Sequence, residues 1–268
     1  NFSERIARNQ QLLLKEESHF DKVIDPAAGS YYLEHLTNAI AGEAWKLFLA
    51  VEEEGGFAAA AEAGSVQKAV NASNIKRHQS VATRREIFLG TNQFPNFTEV
   101  AGDKITLAQG EHDCNCVKSI EPLNFSRGAS EFEALRLATE KSGKTPVVFM
   151  LTIGNLAMRL ARSQFSSNFF GCAGYKLIDN LGFKSVEEGV DAALAAKADI
   201  VVLCSSDDEY AEYAPAAFDY LAGRAEFVVA GAPACMADLE AKGIRNYVHV
   251  KSNVLETLRA FNDKFGIR

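Results

Sequence analysis

Few residues of this chain combine the type and spacing that chemistry needs. His112, Cys114 and Cys116 lie close together and suggest a metal. Zinc sites use wider Cys spacing and a second ligand pair, and no second pair follows, so incidental loop thiols are the preferred reading. Cys204 ends an apolar run with no neighbouring His or cation to activate it, which reads as a buried small hydrophobe. Ser205-Ser206-Asp207-Asp208 could hydrogen-bond a ligand or cap the next helix; the cap is preferred, since Ser and Asp cap well. Gly231-Ala232-Pro233 could let a ligand pass close, but a tight turn is the simpler use. Arg159 and Arg162 offer either a phosphate grip or two solvated helix positions. His19, His35 and His78 have no partner at catalytic spacing, so no nucleophile–base pair is expected.

The elements that must position these residues are clearest after Thr145. Short apolar runs, Val147–Leu151, Tyr175–Asp179, Ile200–Cys204, Glu226–Ala230 and Tyr247–Val250, alternate with helical segments. That alternation predicts an α/β fold with a doubly wound, five-stranded parallel sheet of flavodoxin-like type. Ligands in such sheets sit beyond the carboxyl ends of the strands, at the switch point. The loop after the first run is read as Thr152–Arg162, and nothing in it can ligate a metal or move a proton. It has no acid for a phospho-receiver, too few Ser, Thr and Gly for a flavodoxin phosphate loop, and no Gly-x-Gly-x-x-Gly fingerprint. Ser130/Glu133 and Ser185/Glu188 have capping-box spacing, the second opening a helix over Val186–Lys197.

Upstream, Val23-Ile24 reads as a short buried strand before the turn Asp25–Ser30. A helix carries the stripe Leu33, Leu36, Ile40, Ala44, Leu47, Phe48 and Val51 and stops at Gly55-Gly56. A second is expected from Ser65 to about Arg85, then a strand at Ile87–Gly90. The expected domains are 1–92, a linker at 93–129 that could pack partly as a strap, and 130–268. The chain is 47% hydrophobic, so a sizeable core is available, and its net charge of −7 argues against nucleic acid. Five irregularly spaced Cys favour a reducing cytoplasm. No apolar run is long enough to span a bilayer. The missing initiator Met and a start inside a helical pattern read as a fragment of a longer polypeptide.

Several stretches carry a resemblance. Phe2–Asn9, Glu16-Glu17-Ser18, Asp25–Tyr31, Glu52–Gly56 and the block His78–Asn92 resemble methylmalonyl-CoA mutase, and Asn180–Glu188 sits where the family's cobalamin module has its second βα junction. The resemblance implies that 1–92 is the helical end of a (β/α)8 barrel and that 130–268 is a cobalamin-binding-type domain. Catalytic members carry Asp-x-His-x-x-Gly after the first strand of that module, whose His ligates cobalt. Here the stretch is Ala157-Met158-Arg159-Leu160-Ala161-Arg162, and all three signature residues are missing. A guanidinium has no lone pair for cobalt. Ser205 and Gly231 survive, so Arg159, Ser205 and Gly231 are read as vestigial cofactor positions. This pattern resembles the small, non-catalytic subunits of heterodimeric members. It implies no catalytic, cofactor or metal residue on this chain, with adenosylcobalamin held by a large catalytic partner. The assembly would interconvert methylmalonyl-CoA and succinyl-CoA. The alternatives are a base-on cobalamin binder without a protein His, opposed by the bulk of Met158, Leu160 and Phe165, or a stand-alone interaction module. Apolar surface left by missing barrel strands makes artificial self-association expected.

Overall fold

The computed structural model describes residues 2–102, 120–124 and 126–268. These group into two compact units. One holds the chain up to Lys68 with a short return ending at Pro122; the other runs from Ala69 and, beyond Leu123, to Arg268.

The first unit is helical: α1 (Phe2–Glu16), a single 3-10 turn (Phe20–Lys22), α2 (Tyr31–Glu53), α3 (Phe57–Ala63) and the start of α4 (Ser65–Ala82). Gly55 and Gly56 take positive φ and end α2 as the sequence suggests. Neither α1 nor α2 buries any residue. Tyr31, Trp45, Leu47 and Phe48 are all at least half exposed. A 23-residue helix this apolar owes its stability in a protein to packing, and the described residues leave its apolar faces uncovered. The strand expected at Val23-Ile24 does not form; Ile24 is fully exposed, and among the described residues nothing pairs with it.

The second unit carries the sheet. Its strands are β1 (Val147–Thr152), β2 (Lys176–Ile178), β3 (Ile200–Cys204), β4 (Glu226–Ala230) and β5 (Asn246–Val248). All pair in parallel in the order β2-β1-β3-β4-β5, the flavodoxin-like order with its switch point between β1 and β3. Successive side chains of a strand point to opposite faces. Val148, Met150, Ile200, Val202 and Val228 therefore pack on one side, against α5 (Ser130–Lys141), α6 (Leu156–Gly171) and α10 (Val254–Lys264). Phe149, Leu151, Val201, Leu203 and Val229 pack on the other, against α7 (Val186–Ala195), α8 (Tyr210–Leu221) and α9 (Met236–Ala241).

Several local expectations are corrected. Ile87–Gly90 is not a strand and makes only one bridge, Leu89 to Gln93. Asn92, buried, organises this turn instead: it accepts from the Phe88 N–H and donates to the Val81 and Glu86 carbonyls. Residues 93–102 pack as a strap. Arg136 donates to the Asn96 and Glu99 carbonyls at 2.8 and 2.6 Å, and Glu140 accepts from the Ala101 and Gly102 amides at 2.9 and 2.8 Å. The capping box at Ser130 is absent: Ala129 is the cap residue, the Ser130 hydroxyl donates to the Arg127 carbonyl, and Glu133 pairs with Arg127. The box at Ser185 forms in half. Ser185 Oγ accepts from the Glu188 N–H, while the Glu188 carboxylate reaches one residue further back, to the Lys184 N–H.

Candidate functional site

In a sheet of this order the place to look is above β1 and β3. The loop after β1 is far shorter than the sequence suggested. Gly154 makes a left-handed turn, Asn155 Oδ1 caps the Met158 N–H at 3.1 Å, and α6 begins at Leu156. Residues 157–162 are thus helix, not loop.

The crevice at this point is closed by the chain's own side chains. Glu209, just before α8, turns its carboxylate back over the strand ends. Its Oε2 accepts from Ser205 Oγ at 2.5 Å, from Ser206 Oγ at 2.7 Å and from the Ser206 N–H at 3.1 Å. The Asn155 N–H, from the β1 side, donates to the same carboxylate at 3.1 Å. A Cβ on Gly154 would collide with that carboxylate, so the glycine is needed here both for its φ and for space. The Ser205 hydroxyl above all, then the Ser206 hydroxyl and the Asn155 amide, pull the Glu209 pKa down to about 2 against the opposing effect of burial.

Two arginines fill the flanks. Arg159 donates to the Gly154 carbonyl at 3.1 Å, and its guanidinium lies where a Cβ on Gly182 would be 2.5 Å from Cζ. Arg162 pairs with Asp207 at 2.8 Å, and that pair covers Gly231. Beneath them Tyr210, fully buried, donates to the Ala230 carbonyl at 2.6 Å and accepts from the Ser205 N–H at 3.1 Å. Burial pushes the Tyr210 phenol and the Cys204 thiol upward, so neither is poised to ionise near neutral pH.

The positions singled out as vestigial, Arg159, Ser205 and Gly231, do meet at one place, but to hold the chain's own groups. Ser205 and Ser206 do not cap α8 as expected; they donate to Glu209, which is itself the residue before the helix. Met158 and Leu160 are partly exposed, and Phe165 packs on the core. The obstruction comes instead from Glu209, Arg159 and the Arg162–Asp207 pair. The sequence analysis missed Glu209: its Ser205 and Ser206 partners are local, but the Asn155 amide that brings it across the crevice is 54 residues away. Cys172 and Cys204 are buried and free. His112, Cys114 and Cys116 lie outside the described residues. Among the described residues no group of three or more His, Cys, Asp or Glu could hold a metal.

The charge on Glu209 has a measurable consequence. A carboxyl whose folded pKa lies below its ordinary value contributes stability above the unfolded pKa and loses it as pH falls through the folded one. The window here runs from about pH 4.5 down to about pH 2. Allowing for solvent screening, the contribution is roughly 1 kcal/mol. Urea unfolding is expected to show E209Q weaker than the parent at pH 6, with the gap narrowing at pH 3. An equal gap at both pH values would contradict this assignment.

Comparison with known proteins adds the family. The model of the family described as methylmalonyl-CoA mutase matches residues 1–153. The chain belongs to the methylmalonyl-CoA mutase family. It is 94% identical over its whole length to the methylmalonyl-CoA mutase small subunit of Porphyromonas gingivalis (strain ATCC BAA-308 / W83), covering 43% of that protein. It is 32% identical, over 99% of its length, to the small subunit of Streptomyces virginiae, covering 42% of it. The P. gingivalis large subunit is 33% identical over 52% of the chain and 19% of its own length. The chain therefore spans about two fifths of the small subunits it matches. The family resemblance brings cobalamin into question at the switch point. The residues present do not fit it: Arg159 offers no lone pair, and the space between the β1 and β3 ends is occupied by Glu209.

Proposed function

We propose that this chain is the carboxyl-terminal portion of the small subunit of a heterodimeric methylmalonyl-CoA mutase, contributing contacts and stability rather than chemistry. The observation that carries this reading is the self-filled crevice. A carboxylate with four polar donors and an arginine–aspartate pair stand where a bound cofactor would need room. In the assembly, adenosylcobalamin would sit on the large subunit and supply the radical chemistry that interconverts methylmalonyl-CoA and succinyl-CoA.

The same reading takes residues 1–92 as the end of a (β/α)8 barrel, 93–129 as a connection and 130–268 as a degenerate cobalamin-type domain. The unburied apolar faces of α1 and α2 support the first of these, because a barrel helix packs one face on its strands. A cytoplasmic site suits the buried free thiols Cys172 and Cys204. Among the described residues no helix is long and apolar enough to cross a membrane.

Mixing the chain with a cobalamin-loaded large subunit tests the proposal. A stable complex on size-exclusion chromatography is expected, with all visible cobalamin absorption following the large subunit. Failure to co-elute, with the same large subunit pairing normally with a full-length small subunit, would refute it.

A further inference from the structure

A cluster away from the crevice has the layout of an activated hydroxyl. On α4, Asn74 and His78 stand one turn apart on the same face. Asn124 and Ser126 lie along that face: the Asn124 N–H donates to Asn71 Oδ1 at 3.1 Å, and Asn74 Nδ2 donates to Ser126 Oγ at 3.0 Å. His78 Nε2 is 2.8 Å from Ser126 Oγ, and His78 Nδ1 is 2.9 Å from Glu131 Oε2, in the first turn of α5. Arg259 of α10 holds the other oxygen of Glu131 at 3.0 Å. The sequence had left His78 without a partner; the fold supplies one from each side.

The hydrogen directions follow from chemistry. An ionised carboxylate only accepts, so Nδ1 carries the imidazole hydrogen. In the neutral imidazole Nε2 then keeps its lone pair, and the Ser126 O–H points at it. Nucleophile and base lie within 2.6–3.2 Å and a third group orients the base, which is the general signature of an activated serine. A cavity of about 400 Å³ opens beside the cluster, lined also by Ile75, Ala82 and Leu255. Ser126 and Ile75 are exposed, so a small molecule can reach the hydroxyl.

The geometry points to Ser126 as a nucleophile for short-chain acyl esters, with His78 as its base and with Glu131 and Asn74 as positioning residues, the first for His78 and the second for the Ser126 hydroxyl. Ser126 Oγ adds to the ester carbonyl while its proton passes to His78 Nε2. The tetrahedral adduct collapses, the C–O bond to the alcohol breaks, and that alcohol leaves with the proton from His78. Water then adds to the acyl-serine as His78 takes its proton, the acyl–Oγ bond breaks, and His78 returns that proton to Ser126 Oγ, releasing a carboxylic acid. No oxidant or further co-reactant is required. The inference is independent of the reading of the crevice.

Treating the full chain with 4-nitrophenyl acetate tests it. Release of 4-nitrophenolate is expected, with an acetyl group located on Ser126 by peptide mass mapping. S126A removes only an exposed hydroxyl, and both signals should disappear with it while the circular dichroism stays unchanged. H78Q should slow acylation by about 100-fold or more, and E131Q should slow it while Ser126 remains the acetylated residue. Acetyl groups only on lysines, or hydrolysis by S126A at the parent rate, would overturn the assignment and leave the cluster as a clasp joining α4, α5 and α10.

Discussion

Replacing Phe170 by Ala should remove about 3–5 kcal/mol from the stability of the sheet-bearing unit. Phe170 is fully buried near the end of α6. Its ring meets Phe169 at 5.5 Å, Phe261 of α10 at 5.6 Å and Tyr175 at 6.3 Å between centroids. Aromatic pairs at such separations add to the area they bury, and three neighbours around one ring cannot all collapse into the space it leaves. A domain of this size is stable by only about 5–15 kcal/mol, so the variant should melt roughly 10 °C or more below the parent. F170L, which keeps most of the volume, should cost far less. A thermal midpoint within a degree or two of the parent would mean that the ring cluster does not anchor α6 to α10.

A graft of the missing cobalt-binding signature, A157D with R159H and R162G, should still bind no cobalamin. The three changes restore residue types but not the space. Positions 157–162 lie on the first turns of α6, where a His at 159 points from a helix rather than from a loop. Glu209 would remain bonded to Ser205, Ser206 and Asn155, over Gly154. Removing Arg162 also leaves Asp207 without its partner at 2.8 Å. The expected result after gel filtration is a colourless protein. Stoichiometric cobalamin retained by the graft would show that the obstruction lay in residue type alone.

The central strands were legible because they are buried on both faces. The bounds expected for β1, β3 and β4 agree with those found to within one residue, since runs such as Ile200–Leu203 leave no polar position to confuse the pattern. The edge strand β2 also agrees to within one residue at each end, while β5 was read less well. β5 stops at Val248 rather than Val250 because the His249 N–H turns to Ser252 Oγ, a side-chain bond that competes with the ladder. Val23-Ile24 and Ile87–Gly90 were misread for one shared reason. Each is a short apolar run, and only a neighbouring strand can make such a run a strand. The Ser130 and Ser205 caps failed because Ser can donate to a carbonyl or a carboxylate as readily as it accepts from an amide. At the site, it is the family resemblance that marks positions 157–162 as lacking an imidazole. The plug was not legible in the sequence, because Glu209 and Asn155 become neighbours only when β1 and β3 pair.

That plug also bears on how easily the crevice could be redesigned. Glu209, Arg159 and the Arg162–Asp207 pair come from two segments and are held by separate bonds. Any single change that reintroduced a ligating side chain would meet a cavity still sealed by the others. It would also carry the cost of stranding a charge, with no binding to select for. Opening this crevice to a ligand would therefore take several coordinated substitutions at once rather than any one of them.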